Sequence, residues 1–202
     1  EDALSTVLRR PIEITGAGRT DAGVHALAQV VSFELTGGDD IDPHELLRSL
    51  NALAGPHIAV TEIRRAPAGF SARFDAVARE YRYRIVPGPV PPVLMAPYGW
   101  WVKKSLDLGA MREAASELVG EHDFRSFCVS ESAEGKSTVR NLELVEVRSE
   151  RELGEHVIEV RVVGNAFLHS MVRVVVGSLV EVGSGRRSAA WMAEVLAARD
   201  RH

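Results

Sequence analysis

The chain has 202 residues, 46% of them hydrophobic and 26% charged, with a formal net charge of −4, seven histidines and a single cysteine. That length and balance fit a soluble globular protein of one or two small domains, and no apolar run approaches the ~20 residues a membrane span needs. Cys128 alone excludes an internal disulfide and a cysteine-based zinc site and fits a reducing cytoplasm; the histidines show no ligand spacing, so neither metal nor cofactor is expected. No signal peptide opens the chain, and with no initiating Met the native N-terminus is expected to lie elsewhere.

Residues 2–10 read as the end of an amphipathic helix, with Leu4, Val7 and Leu8 on one face and Pro11 stopping it. Residues 11–15 read as a strand, and residues 28–35 as another in which Val31, Phe33 and Leu35 alternate inward. Residues 37–40 are a turn. Asp42, Pro43 and Glu45 supply an N-cap, a first-turn proline and a capping-box acid for a helix through Leu53, and residues 58–63 read as a strand. Past Pro67 the pattern starts again. A long strand is expected over 74–86, with Arg79, Tyr81, Tyr83 and Ile85 on one face and Glu80, Arg82 and Arg84 on the other. Residues 87–97 are Pro-rich and loop-like. Asp107 caps a helix carrying Leu108, Met111, Ala115 and Leu118, closed by Gly120, and residues 130–137 form a polar loop. Strands over 139–147 and 157–163 follow, then a helix over 166–182 with Phe167, Met171, Val175 and Leu179 on its core face, and a last helix that Ser188 caps.

The first part reads α-β-β-α-β and the second β-α-β-β-α-α. One strand added before the first and one after the second would complete two β-α-β-β-α-β ferredoxin-like units. The fold class expected is therefore α+β, with one half over residues 1–66 and the other over 67–202.

The stretch joining the first two strands is Gly16-Ala17-Gly18-Arg19-Thr20-Asp21-Ala22-Gly23-Val24-His25. Closely spaced glycines let a backbone take positive φ and approach a ligand, and a turn that only reversed the chain would not need both Arg19 and Asp21. A dinucleotide fingerprint fails because its sixth position is Asp21, whose charge repels a pyrophosphate. A P-loop ending in Gly135-Lys136-Ser137 fails because Ser130 stands where its first glycine belongs. Lysine occurs only at 103, 104 and 136, so positive charge is mostly arginine. Genomic bias accounts for most of that excess, but Arg64, Arg65, Arg73, Arg79, Arg82 and Arg84 cluster, and an acidic protein binds RNA when its positive charge lines one cleft.

Gly18-Arg19-Thr20-Asp21-Ala22-Gly23-Val24-His25 resembles the catalytic motif of the tRNA pseudouridine synthase A family. Two more blocks resemble the same family in the same order: Ala72-Arg73-Phe74-Asp75-Ala76 through Arg79-Glu80-Tyr81-Arg82-Tyr83, and Asn165-Ala166-Phe167-Leu168-His169-Ser170-Met171-Val172-Arg173 running on to Leu179. The resemblance implies a pseudouridine synthase fold with its cleft between the two halves, and a cytoplasmic, metal-free homodimer that modifies the anticodon stem-loop of tRNA. It implies that Asp21 is the essential carboxylate, acting as nucleophile or as base toward the ribose. It further implies that Arg173 is the cation holding Asp21 ionised, and that Tyr81 stacks on the uracil or handles a proton. Arg19 would displace the target nucleotide, while Thr20, His25, Arg79, Asn165 and His169 contribute to substrate binding. The family's opening and closing strands have no counterpart here. Two readings compete. A non-catalytic RNA-binding module would leave Asp21 dispensable. An aspartyl-phosphate phosphatase would need a second acid and a Mg²⁺ site, which Ala22-Gly23 does not offer.

Overall fold

The computed structural model describes residues 1–35, 41–129, 135 and 137–200. The turn expected over 37–40 and most of the polar loop over 130–137 lie outside the described residues. The chain forms two compact units, Glu1–Ala76 and Val77–His202.

The first unit holds helix α1 (Asp2–Leu8), two short paired strands β1 (Thr15–Gly16) and β2 (Val31–Ser32), and helix α2 (Pro43–Ala54). The Asp42 carboxylate accepts the His44 N–H and so caps α2, with Pro43 opening its first turn as the sequence predicts. Leu4, Ile12, Leu46 and Leu50 form the buried core, with Ile14, Phe33, Val60 and Ile63 packed against it. Three expected strands are shorter or absent: 28–35 narrows to Val31–Ser32, and at 11–15 and 58–63 side chains take backbone groups that a ladder would use. Ile12 N–H donates to Ser5 Oγ at 3.0 Å and Ile14 N–H to Glu1 Oε1 at 3.3 Å, so pairing begins only at Thr15. At Val60 the Asn51 amide donates to the carbonyl at 2.8 Å and accepts the N–H at 2.7 Å, which leaves 58–63 without a strand partner. Periodicity reports which side chains turn inward, not what pairs with the backbone.

The second unit is a five-stranded mixed sheet with helices on one face. Its strands are β3 (Arg79–Pro87), β4 (Trp100–Val102), β5 (Gly120–Asp123), β6 (Val139–Glu152) and β7 (Glu155–Gly164), ordered β4-β3-β7-β6-β5. β3 and β4 are parallel, and the other neighbours are antiparallel. β6 and β7 form a hairpin closed by Leu153 (φ 49°) and Gly154 (φ 84°), the two successive positive-φ residues of a turn whose twist suits flanking strands. Helices α3 (Leu108–Ser116), α4 (Met171–Gly183) and α5 (Trp191–Ala198) complete the unit. Ile85, Ile158, Val160, Val162, Val145 and Val147 meet Met111, Leu118, Met171, Val175, Leu179 and Met192 in the core, with Phe124 and Phe127 fully buried. Ile85, Tyr81 and Tyr83 share the core side of β3, and Met171, Val175 and Leu179 that of α4, as expected, while Phe167 packs against the core from the segment before the helix. β3 begins at Arg79 rather than at 74, and β4 and most of β5 lie in stretches for which the sequence predicts no element, each too short for an alternation to register. Ser188 does not cap α5 through its side chain; its carbonyl accepts the Trp191 N–H instead.

The opposite face of the sheet carries charge. Arg84 bonds Glu152 at 2.6 Å, while Arg82 and Arg161 both reach Glu80 at 2.8 Å. The clustered arginines are thus engaged within the protein: Arg64 also bonds Glu62, and Arg79 donates to a backbone carbonyl. Glu150, Glu152 and Glu159 place carboxylate oxygens within 4.8 Å of one another, and Arg84 neutralises the last two. Arg161, and then Arg82, hold the Glu80 carboxyl at about 2, down from 4.5. A folded-state pKa below the unfolded one means the unfolded chain binds more protons, so the pairing stabilises fully above about 4.5 and is lost as pH falls toward about 2. The melting temperature of the parent is accordingly expected to fall more steeply between pH 4.5 and 2 than that of Glu80→Gln. Parallel curves in a thermal-denaturation series would show that solvent screens the network completely. Among the described residues no helix is long and apolar enough to cross a membrane.

Candidate active site

The glycine-rich loop of the first unit is fixed at its base. Ala17 N–H donates to the Val30 carbonyl at 2.9 Å, extending the β1–β2 pairing by one bond, and the Gln29 amide donates to the Gly18 carbonyl at 2.8 Å. At the tip, Val24 N–H donates to the Asp21 carbonyl at 3.1 Å, and Gly23 takes φ 80°. A positive φ at the third position of such a turn is what a glycine permits and a side chain resists. A main-chain bond closes the turn, and Arg19, Thr20, Asp21 and His25 are all exposed.

In the second unit, Tyr81 lies opposite Val162 on β3 and is half-buried, its ring edge-on to Phe167 with centroids 4.8 Å apart and planes at 77°. That geometry is the favourable one for a pair of aromatic quadrupoles and fixes the tyrosine's plane. Phe167 is itself positioned by a polar clamp. Arg79 donates from Nη1 to the Asn165 carbonyl at 2.8 Å; Asn165 N–H donates to the Asn141 carbonyl, and Asn165 Oδ1 accepts the Asn141 N–H, both at 3.1 Å. Gly164 makes this possible, because a Cβ there would lie 2.7 Å from Leu142 Cδ2 and 2.9 Å from the Asn141 carbonyl.

The clamp also corrects the expected start of the helix. Residues 165–170 are held against β6 and Tyr81, Ser170 turns left-handed at φ 60°, and α4 begins only at Met171. Its neighbours Met171, Val172, Val175 and Val176 are buried, whereas Arg173 in the first turn and His169 just before it are exposed. The structure therefore brings Arg79, Tyr81 and Asn165 together through Phe167 and sets His169 and Arg173 at the head of α4. Arg19, Thr20, Asp21 and His25 belong to the other unit. Phe167 packs from the segment before the helix rather than from the helix face, and neither Asn141 nor Gly164 stands out in the sequence beyond the one signal of a glycine ending β7.

The loop carries Asp21 two residues after Arg19 in the sequence, and β3 carries a tyrosine braced by Phe167. Residues 114–202 match the family described as tRNA pseudouridine synthase. Over its whole length the chain is 46% identical to the tRNA pseudouridine synthase A of Ralstonia nicotianae, of which it covers 74%. It is 44% identical to that of Streptomyces griseus and 43% to that of Burkholderia lata, again over the whole chain and over 71% and 72% of the relatives. The class is thus an isomerase that converts uridine to pseudouridine. Within that class, the chain belongs to the tRNA pseudouridine synthase A family.

Proposed function

We propose that the chain isomerises uridine in the anticodon stem-loop of tRNA, working in the cytoplasm as a homodimer without metal or cofactor. The observation that carries this reading is the whole-length match to tRNA pseudouridine synthases A. On this reading residues 1–66 and 67–202 are two ferredoxin-like halves with the active-site cleft between them. Asp21 is the reacting carboxylate, as nucleophile or as base toward the ribose. Arg173 is the cation that keeps it ionised in a cleft whose desolvation would otherwise raise its pKa. Tyr81, its plane set by Phe167, lies against the uracil and supplies a hydroxyl for proton transfer.

Arg19 enters the stem as the uridine leaves its stack, which costs a few kcal/mol, and a guanidinium both fills the space and pairs with phosphate. Thr20, His25, Arg79, Asn165 and His169 contact the RNA around the target nucleotide. In the reaction the bond from the sugar to N1 breaks, a bond from the sugar to C5 forms, the C5 hydrogen leaves as a proton and N1 gains one. The test follows that hydrogen: the protein should release tritium from C5-labelled tRNA without added metal or nucleotide. Tight tRNA binding with no release would instead make it a non-catalytic RNA-binding module.

A further inference from the structure

The second unit contains a pocket of about 400 Å³ where the chain leaves β3 and β4. Leu106, Leu108 and Ile158 give it an apolar side, and its polar side chains are Lys103, Lys104, Ser105 and His156. Pro87, where β3 reaches the pocket, is six residues beyond Tyr81, roughly 20 Å along an extended strand, so the pocket is separate from the tyrosine.

These cations differ from those of the opposite sheet face. The arginines of the sheet face are neutralised by Glu80, Glu152 and Glu159. Lys103 and Lys104 are two of the three lysines in the sequence; both are exposed, and neither has an ion-pair partner among the described residues. The acids nearest to lining residues in sequence are already occupied. Glu155 accepts the N–H groups of Val93, Leu94 and Met95, and Asp107 accepts that of Ala110. The backbone beneath the lysines is fixed as well. Gly88 N–H donates to the Val102 carbonyl at 3.0 Å, the Trp101 indole donates to the Gly88 carbonyl at 2.9 Å, and Lys104 N–H closes a three-residue turn onto Val102 at 2.7 Å. His156 and Ile158 share one side of β7, where Ser149 Oγ engages His156 Nε2 at 2.8 Å and leaves Nδ1 facing away from that bond.

We propose that this pocket binds a nucleotide through its phosphate, with Lys103 and Lys104 on the anion, His156 beside it, and the apolar side against the base or sugar. Lysine suits this role because its ammonium is a compact charge on a flexible stem that follows a phosphate without demanding a fixed fork geometry. With tRNA as the substrate proposed above, on which this inference rests, the ligand is a nucleotide of that RNA outside the reacting position. The same chemistry would also accept a free mononucleotide.

The experiment measures tRNA affinity against salt for the parent, for Lys103→Gln/Lys104→Gln and for Lys103→Arg/Lys104→Arg. Losing one to two phosphate contacts should reduce the slope of log K against log salt by about 1 to 2 and affinity at about 0.1 M salt by roughly 5- to 50-fold in the glutamine variant. The arginine variant should keep the parent slope. In parallel, uridine monophosphate and uridine are titrated while the amide resonances of Gly88 and Lys104 are followed by NMR. Movement with the monophosphate but not with uridine assigns the pocket to free nucleotides too, and no movement together with the altered slope assigns it to the tRNA backbone. Three results overturn the inference: a slope unchanged in the glutamine variant with resonances that do not move, an equal fall in slope in the arginine variant, or equal movement with uridine. Tritium release by the parent tests the proposed function separately, so either can fail alone.

Discussion

Asp21→Asn should abolish tritium release, by at least about 10⁴-fold, while changing tRNA affinity less than about threefold. The substitution keeps the size and shape of the side chain and removes its charge. It leaves unchanged the main-chain bond from the Asp21 carbonyl that closes the tip and the bonds among Ala17, Gly18, Gln29 and Val30 that fix the base. An amide can neither attack a carbon nor accept a proton from the ribose at neutral pH, whichever of the two roles the carboxylate plays. Release at the parent rate would remove Asp21 from the chemistry and with it the mechanism proposed here. A parallel loss of binding would instead mean that the carboxylate shapes the RNA site.

Tyr81→Phe should lower kcat by about 10²- to 10⁴-fold with little change in KM, the range expected when one positioned proton-transfer group is deleted. The ring keeps its edge-on contact with Phe167 and its register against Val162, so stacking on the uracil survives and only the hydroxyl is missing. Tyr81→Ala should be worse in both constants, since it also forfeits an aromatic pair of about 0.5–1.5 kcal/mol and frees Phe167. Single-turnover measurements separate the two cases. A Phe variant with normal kcat and raised KM would make the tyrosine a stacking platform without a role in proton transfer.

Much of the second unit was legible in the chain because its elements are long and strictly periodic. β3 and α4 turn Ile85, Met171, Val175 and Leu179 into the core as their spacing predicts, and Asp107 caps its helix here as Asp42 does in the first unit. What escaped falls into two kinds. β4 and β5 have too few residues to carry a period, and the segments at 11–15 and 58–63 have the right inward faces but give their backbone groups to Ser5, Glu1 and Asn51. In the site, the glycine loop and Tyr81 were visible as residues. The clamp of Arg79 and Asn141 on Asn165 joins backbone to side chain across 86 and 24 positions of sequence, and no local pattern encodes it. The arginine cluster was visible too, but not its carboxylates, since Glu80, Glu152 and Glu159 come from three different strands.

The hairpin closed by Leu153 and Gly154 divides the sheet by the entropy its pairings require. β6 and β7 are the longest strands, and two residues join them, so each successive rung of their ladder forms between segments that the previous rung has already brought together. β4 reaches the parallel edge of β3 only after the chain has closed the loop over residues 88–99, and it then gains three residue pairs in return. Loop closure must be met before such a pairing contributes, whereas the hairpin's pairings begin to contribute at once. The sheet is therefore most firmly determined at its centre, and Tyr81 reads its position from β7, the strand that the hairpin sets first.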